Sequence, residues 1–147
     1  MDTPLQVARP PARPLVIWDG DCGFCAFSVG VLKQRVEAGG LETVPYQELG
    51  GRFPEIPRGN FAKAVHLVEP DGTPSHSARA VFRALDHQEG GCLFWRRYRK
   101  CGIFRTLSEW SYRRVARNRE VAAWVARRLT GRERYERLKA LAKAAQD

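Results

Sequence analysis

The chain has 147 residues, 44% of them hydrophobic, so it is long enough to bury a core without disulfide staples or a structural metal. Its four cysteines, two of them in a C-x-x-C spacing, therefore read as chemistry before they read as a disulfide framework. The net charge of +9 is uneven: residues 1–91 carry 9 Lys/Arg against 11 Asp/Glu, a balance of −2, and residues 92–147 carry 16 against 5, a balance of +11.

Residues 1–13 lack the apolar stretch of an export signal and contain Pro4, Pro10 and Pro11, so a flexible leader is expected there. No apolar run approaches the ~18–20 residues of a membrane helix, which points to a protein without membrane contact, placed in the cytoplasm. Residues 14–147 read as one domain, with 14–91 the core and 92–147 a basic helical extension packed on it.

Leu15-Val16-Ile17-Trp18 is a continuous apolar run, the pattern of a strand covered on both faces. Asp19-Gly20-Asp21 supplies a turn. Phe27, Val31, Leu32 and Val36 then recur at helical spacing, which puts Cys22 at or beside the first turn of a helix closed by Gly39-Gly40. Unpaired N–H groups and the positive end of the helix dipole favour thiolate over thiol there.

A second strand is expected over 41–46, then an irregular connection with at most a short helix through Pro54 and Pro57. A third strand is expected over 62–68, a turn at Pro70-Asp71-Gly72-Thr73, and a short fourth strand over 73–76. Ser77 is placed as the N-cap of a helix through Leu85. The remainder reads as four amphipathic helices, with Trp95, Trp110 and Trp124 at core-facing positions rather than as a base-stacking platform. Strand, helix, strand, strand, strand, helix is the order of a thioredoxin-like α/β fold: a mixed four-stranded sheet with flanking helices, here with an appended helical C-terminal segment.

Two thiols at i and i+3 at a helix start lie on one side of it, close enough for a small-ring disulfide that opens and closes. Cys22, nearer the turn, is assigned as the attacking thiolate and Cys25 as the resolving thiol. Asp21, if ionised, opposes thiolate formation. Asp19 either accepts the proton of Cys25 or holds the turn through hydrogen bonds. Cys92 and Cys101 read as ordinary buried cysteines. His66 is expected to face a strand neighbour, with His76 and His87 on the surface.

The chain resembles the DCC family of predicted thiol-disulfide oxidoreductases, thioredoxin-like proteins with a D-G-x-C-x-x-C opening. The match runs through Asp19-Gly20-Asp21-Cys22-Gly23-Phe24-Cys25, Val65 to Gly72, Ala80, Leu85 and the piece Tyr112-Arg113-Arg114-Val115-Ala116-Arg117-Asn118-Arg119, so it covers roughly 14–119. The resemblance implies dithiol-disulfide exchange on Cys22 and Cys25 with no cofactor beyond the dithiol. For such an exchange a disulfide-containing protein or small thiol is expected as substrate, with an electron partner of the kind of a thioredoxin system or a low-molecular-weight thiol. Two positions depart from the pattern. Ser77 stands where a small residue, usually glycine, is expected, and the cis-proline that thioredoxin-like enzymes carry before the third strand has Pro57 as its nearest counterpart.

Three other readings use the same residues. Asp19-Gly20-Asp21 after an apolar strand resembles the first motif of magnesium-dependent haloacid-dehalogenase-type phosphatases, but Asp71 and Asp86 make no convincing second acidic pair. Cys22 and Cys25 have zinc-knuckle spacing, yet Cys92 and Cys101 are nine apart and form no second C-x-x-C. The basic C-terminal segment would suit nucleic acid or an acidic partner, although no motif supports this beyond charge, and solvated helix faces explain it more simply.

Overall fold

A computed structural model describes residues 5–36 and 39–144. Four strands, β1 (Leu15–Trp18), β2 (Glu42–Pro45), β3 (His66–Val68) and β4 (Pro74–His76), form one mixed sheet in the order β2-β1-β3-β4. β1 runs parallel to β2 and antiparallel to β3, and β3 pairs antiparallel with β4. With α1 (Gly23–Arg35), α2 (Arg58–Lys63), α3 (Ser77–Leu85), α4 (Leu93–Lys100), α5 (Gly102–Arg117), α6 (Arg119–Thr130) and α7 (Arg132–Lys143), the described residues build the expected thioredoxin-like α/β architecture.

β1 is central, and every one of its residues is buried. Alternation along the strand sends Leu15 and Ile17 to one face, where they pack with Leu49, Phe53, Ile56, Phe61 and Val68. Val16 faces the other side with Leu32, Leu67, Ala80 and Ala84, and Trp18 meets Ala26, Val29 and Ala142. Each of these large side chains contributes about 1.5–3 kcal/mol on removal from water, so the strand that leads to the cysteines is firmly anchored in the sheet.

The leader expected over residues 1–13 is docked in part. Val7 is buried in the core below β1, and its N–H donates to the Gly72 carbonyl at 3.0 Å. Residues 1–4 lie outside the described residues. So does the chain just before Gly39, where the end of the first helix was expected; α1 itself stops at Arg35.

The third strand is shorter than expected. Residues 58–63 form α2, because Pro57 opens a helical turn and Phe61 turns into the core. Ser77 starts α3 with a backbone φ of 60° and makes no side-chain cap; its Oγ instead lies 3.0 Å from His76 Nδ1. Glycine adopts that φ without strain, so the expected glycine would fit this backbone more easily than Ser77 does.

The C-terminal helices fall where periodicity puts them, but they bury less than expected. Trp95 is 8% exposed and packs with Ala78, Cys92 and Tyr98, whereas Trp110 is 53% and Trp124 56% exposed. α5 and α6 each pack along a narrow face. Arg114 covers the Trp110 ring at 5.7 Å and Arg128 the Trp124 ring at 5.6 Å, one helical turn away in each case. α7 is the extension's main tie to the core. It crosses α1 so closely that a Cβ on Gly30 would overlap the Leu138 carbonyl, and Lys33 Nζ donates to the Leu141 carbonyl at its C-terminal end.

Candidate active site

β1 delivers the chain to the turn at the C-terminal end of the sheet, and Cys22 becomes the N-cap of α1. Its Sγ accepts the Cys25 N–H at 3.2 Å, a bond normally made by a Ser or Asp oxygen. The Cys25 thiol also donates to the Cys22 sulfur. That bond is the largest influence on Cys22; against the penalty of partial burial, and with help from the Cys25 N–H and the Arg119 charge, it brings the Cys22 pKa down to about 6. Cys25 moves the opposite way, because it keeps its proton to serve Cys22 and is more deeply buried. Both cysteines are free and half-buried, and they lie side by side as the spacing required.

The turn ahead of them is held by side chains from two other elements. β2 lies parallel to β1 with Pro45 opposite Trp18, so the single 3-10 turn that follows, Tyr46–Glu48, brings Gln47 alongside Gly20. Gln47 Oε1 accepts the Gly20 N–H at 3.0 Å, and its Nε2 donates to Asp19 Oδ1 at 2.9 Å and Asp21 Oδ2 at 3.2 Å. Gly20 has no room for a side chain, since a Cβ would stand 2.9 Å from the Pro45 ring.

Arg119, the first residue of α6, closes the site from the far end of the sequence. Its Nη1 donates to Asp19 Oδ2 at 2.9 Å, and its Nη2 to the carbonyls of Ala62 at 2.9 Å and Lys63 at 3.4 Å, the last residues of α2. One planar guanidinium thereby ties the end of β1 to the C-terminus of α2. Asp19 Oδ1 also accepts the Asp21 N–H at 3.1 Å. Burial works against ionisation of Asp19, but the bonds from Gln47, Asp21 N–H and Arg119 outweigh it and hold its carboxyl below the ordinary range.

Pro57 caps α2, and every peptide bond among the described residues is trans. The position before β3 belongs to Val65, whose N–H donates to the Tyr112 hydroxyl at 2.9 Å and whose carbonyl accepts the Ser77 N–H at 3.0 Å. A proline there would have no N–H to offer Tyr112.

The residues invoked by other readings are occupied elsewhere. Asp71 accepts the Thr73 N–H at 2.8 Å, and Asp86 accepts the Cys92 N–H at 2.9 Å while pairing with Arg83. Cys92 is buried against Trp95 and Tyr98. Cys101, expected to be buried as well, sits half-exposed between α4 and α5. His66 is buried opposite His76 on β4, His76 is exposed, and His87 pairs with Glu69 at 3.0 Å. Among the described residues, no three His, Cys, Asp or Glu side chains gather as a metal site would require.

Residues 16–125 match the family model of DCC1-like thiol-disulfide oxidoreductases. The chain belongs to this family. Neither the curated proteins nor the solved structures contain a significant match. The family match spans Cys22, Cys25, Gln47, Tyr112 and Arg119, so all the contacts just described lie inside it. Sequence reasoning gave Cys22, Cys25, Asp19 and Asp21 but assigned no role to Gln47, Tyr112 or Arg119. Tyr112 and Arg119 stood in the Y-x-x-x-A-x-N-R piece, where a tyrosine and an arginine seven residues apart, at the two ends of one motif, were the only signal available.

Proposed function

We propose that the protein catalyses thiol-disulfide exchange, with Cys22 attacking and Cys25 resolving. The observation that carries this reading is the pair itself: an N-cap sulfur with a pKa of about 6 beside a second thiol held protonated. The Cys22 thiolate attacks one sulfur of a substrate disulfide, forming a mixed disulfide and expelling the other sulfur as a thiolate. With Cys22 covalently engaged, Cys25 no longer donates to a neighbouring charge and its proton becomes easier to lose. Cys25 then attacks the Cys22 sulfur, its proton passes to the second substrate sulfur, which leaves as a thiol, and a Cys22–Cys25 disulfide remains; the first thiolate released takes a proton from water. The protein's dithiol is oxidised and the substrate disulfide is reduced to two thiols, so no bound cofactor is needed.

Asp19 fits the holding role better than the proton-accepting one. Its oxygens are engaged by Arg119, Gln47 and the Asp21 N–H, and a carboxyl held below its ordinary pKa is a weak base. A cytoplasmic setting, with a thioredoxin system or a low-molecular-weight thiol regenerating the dithiol, goes with reduction as the working direction.

Replacement of single cysteines tests the roles. Cys25→Ser is expected to accumulate a stable mixed disulfide with substrate, seen by intact mass. Cys22→Ser is expected to abolish turnover and trap nothing. Trapping through Cys25 in the Cys22→Ser protein would reverse the assignment.

A further inference from the structure

An apolar groove of about 680 Å³ begins at Cys25 and runs between α1 and α5, with α3 as its floor. Phe27 and Val31 form one wall, Leu107 and Val115 the other, and Phe82 lies beneath. Phe94 and Phe104 close the far end, their rings 6.4 Å apart and each 5.9 Å from Phe82. Arg119 and Asp19 stand at the near end beside Cys25. From Phe104 to Val115 the wall is roughly 16 Å long at the usual helical rise. Between those ends the lining is dominated by apolar side chains.

The groove's chemistry narrows the occupant. β3 is paired on both sides, so no strand edge faces the groove for an extended peptide to join. The Val65 N–H is spent on Tyr112, and the wall helices satisfy their own backbones. Peptide amides laid here would lose water without gaining partners. A hydrocarbon chain carries no such groups and gains from every methylene it buries.

We propose that the substrate is a low-molecular-weight disulfide in which one sulfur carries a medium-length alkyl chain, the chain lying in this groove and its sulfur presented to the cysteine pair. This assignment rests on the thiol-disulfide reading above. The Cys22 thiolate attacks the alkyl-bearing sulfur, the other substituent leaves as a thiolate, and Cys25 then displaces the alkyl thiol, which departs with a proton. Seating the chain at the Cys25 end of the groove fixes which of the two substrate sulfurs is attacked.

The test is single-turnover reaction of the reduced protein with mixed disulfides of 5-thio-2-nitrobenzoate and ethyl, butyl, octyl or dodecyl thiol, which release a coloured thiolate. The same series with glutathione gives the intrinsic slope. The rate relative to glutathione is expected to rise by up to about four-fold per buried methylene and to level off once the groove is full. Ser108→Trp, which fills the groove from α5, or Ser28→Trp, which fills it from α1, is expected to flatten that rise; far-UV circular dichroism selects the variant that folds. Equal relative rates at every chain length, or faster reaction with a disulfide of an apolar peptide, would overturn the proposal and leave the thiol-disulfide reading intact. If no coloured thiolate appears at any length, that reading has failed, and the groove is decided by binding alone. For this, the Cys22→Ser, Cys25→Ser double variant is mixed with dansyl-undecanoate. Fluorescent binding competed by long-chain but not short-chain alcohols supports an alkyl site, and absence of binding refutes it.

Discussion

Arg119 binds Asp19 and two α2 carbonyls with one guanidinium, and its charge also favours the Cys22 thiolate. Replacing it with methionine keeps an unbranched apolar stem and removes both effects. The midpoint of Cys22 alkylation by iodoacetamide, expected near pH 6 in the native protein, should move upward in Arg119→Met. Arg119→Lys, which keeps the charge, should recover part of that shift, although an ammonium cannot span the three acceptors. An unchanged midpoint in Arg119→Met would mean that the Cys25 hydrogen bonds alone set the thiolate. Cys22 and Cys25 were legible in the sequence because their relation is local, three residues apart at a helix start. The Arg119 contact to Asp19 spans 100 residues and Gln47 reaches across a strand pairing, so neither could be read from spacing. Trp110 and Trp124 misled for the related reason that periodicity locates a helix face without saying whether anything covers it.

At the scale of elements, α7 packs directly on the helix that carries the cysteines. Gly30 lets α7 lie directly on α1, and Tyr135 on α7 stacks on Phe27 with ring centroids 4.9 Å apart. Gly30→Ala is expected to lower stability by about 1–3 kcal/mol in urea denaturation, the cost of overpacking, despite alanine's better helix propensity. A gain in stability would show that the crossing is looser than described. Tyr112→Phe removes the acceptor for the Val65 N–H beside Cys25, and leaving such a donor unpaired costs about 1–3 kcal/mol by the same measurement. The positions of α4 to α7 were readable from apolar spacing and from Gly102 and Gly131. The start of β3 was not. Ala62 and Lys63 look like strand in isolation, but Phe61 is drawn into the core and Arg119 binds the carbonyls that end α2.

For the whole molecule, the thiolate links redox state to stability and pH. Cys22 has a pKa of about 6 when folded against 9.0 for an unperturbed cysteine thiol, so its contribution is fully present above pH 9 and is lost as pH falls through 6. The reduced protein, compared with Cys22→Ser, should therefore gain stability between about pH 6 and 9. The oxidised protein, which has no thiolate at Cys22, should show no such gain relative to the same variant. Thermal unfolding across that range checks the sign. Among the described residues no helix is long and apolar enough to cross a membrane. The charge of the C-terminal segment, visible at once in the sequence, said nothing of its main structural use: placing α7 against α1 and Arg119 at the turn.

The central claim is tested most directly by equilibrating the protein in glutathione redox buffers and following the Cys22–Cys25 bond by thiol trapping and peptide mapping. The account predicts one reversible disulfide between Cys22 and Cys25 with a defined midpoint, formed under mild oxidant and absent in both single serine variants. Two free thiols at Cys22 and Cys25 under every oxidising condition, or a disulfide that joins Cys92 to Cys101 instead, would contradict it.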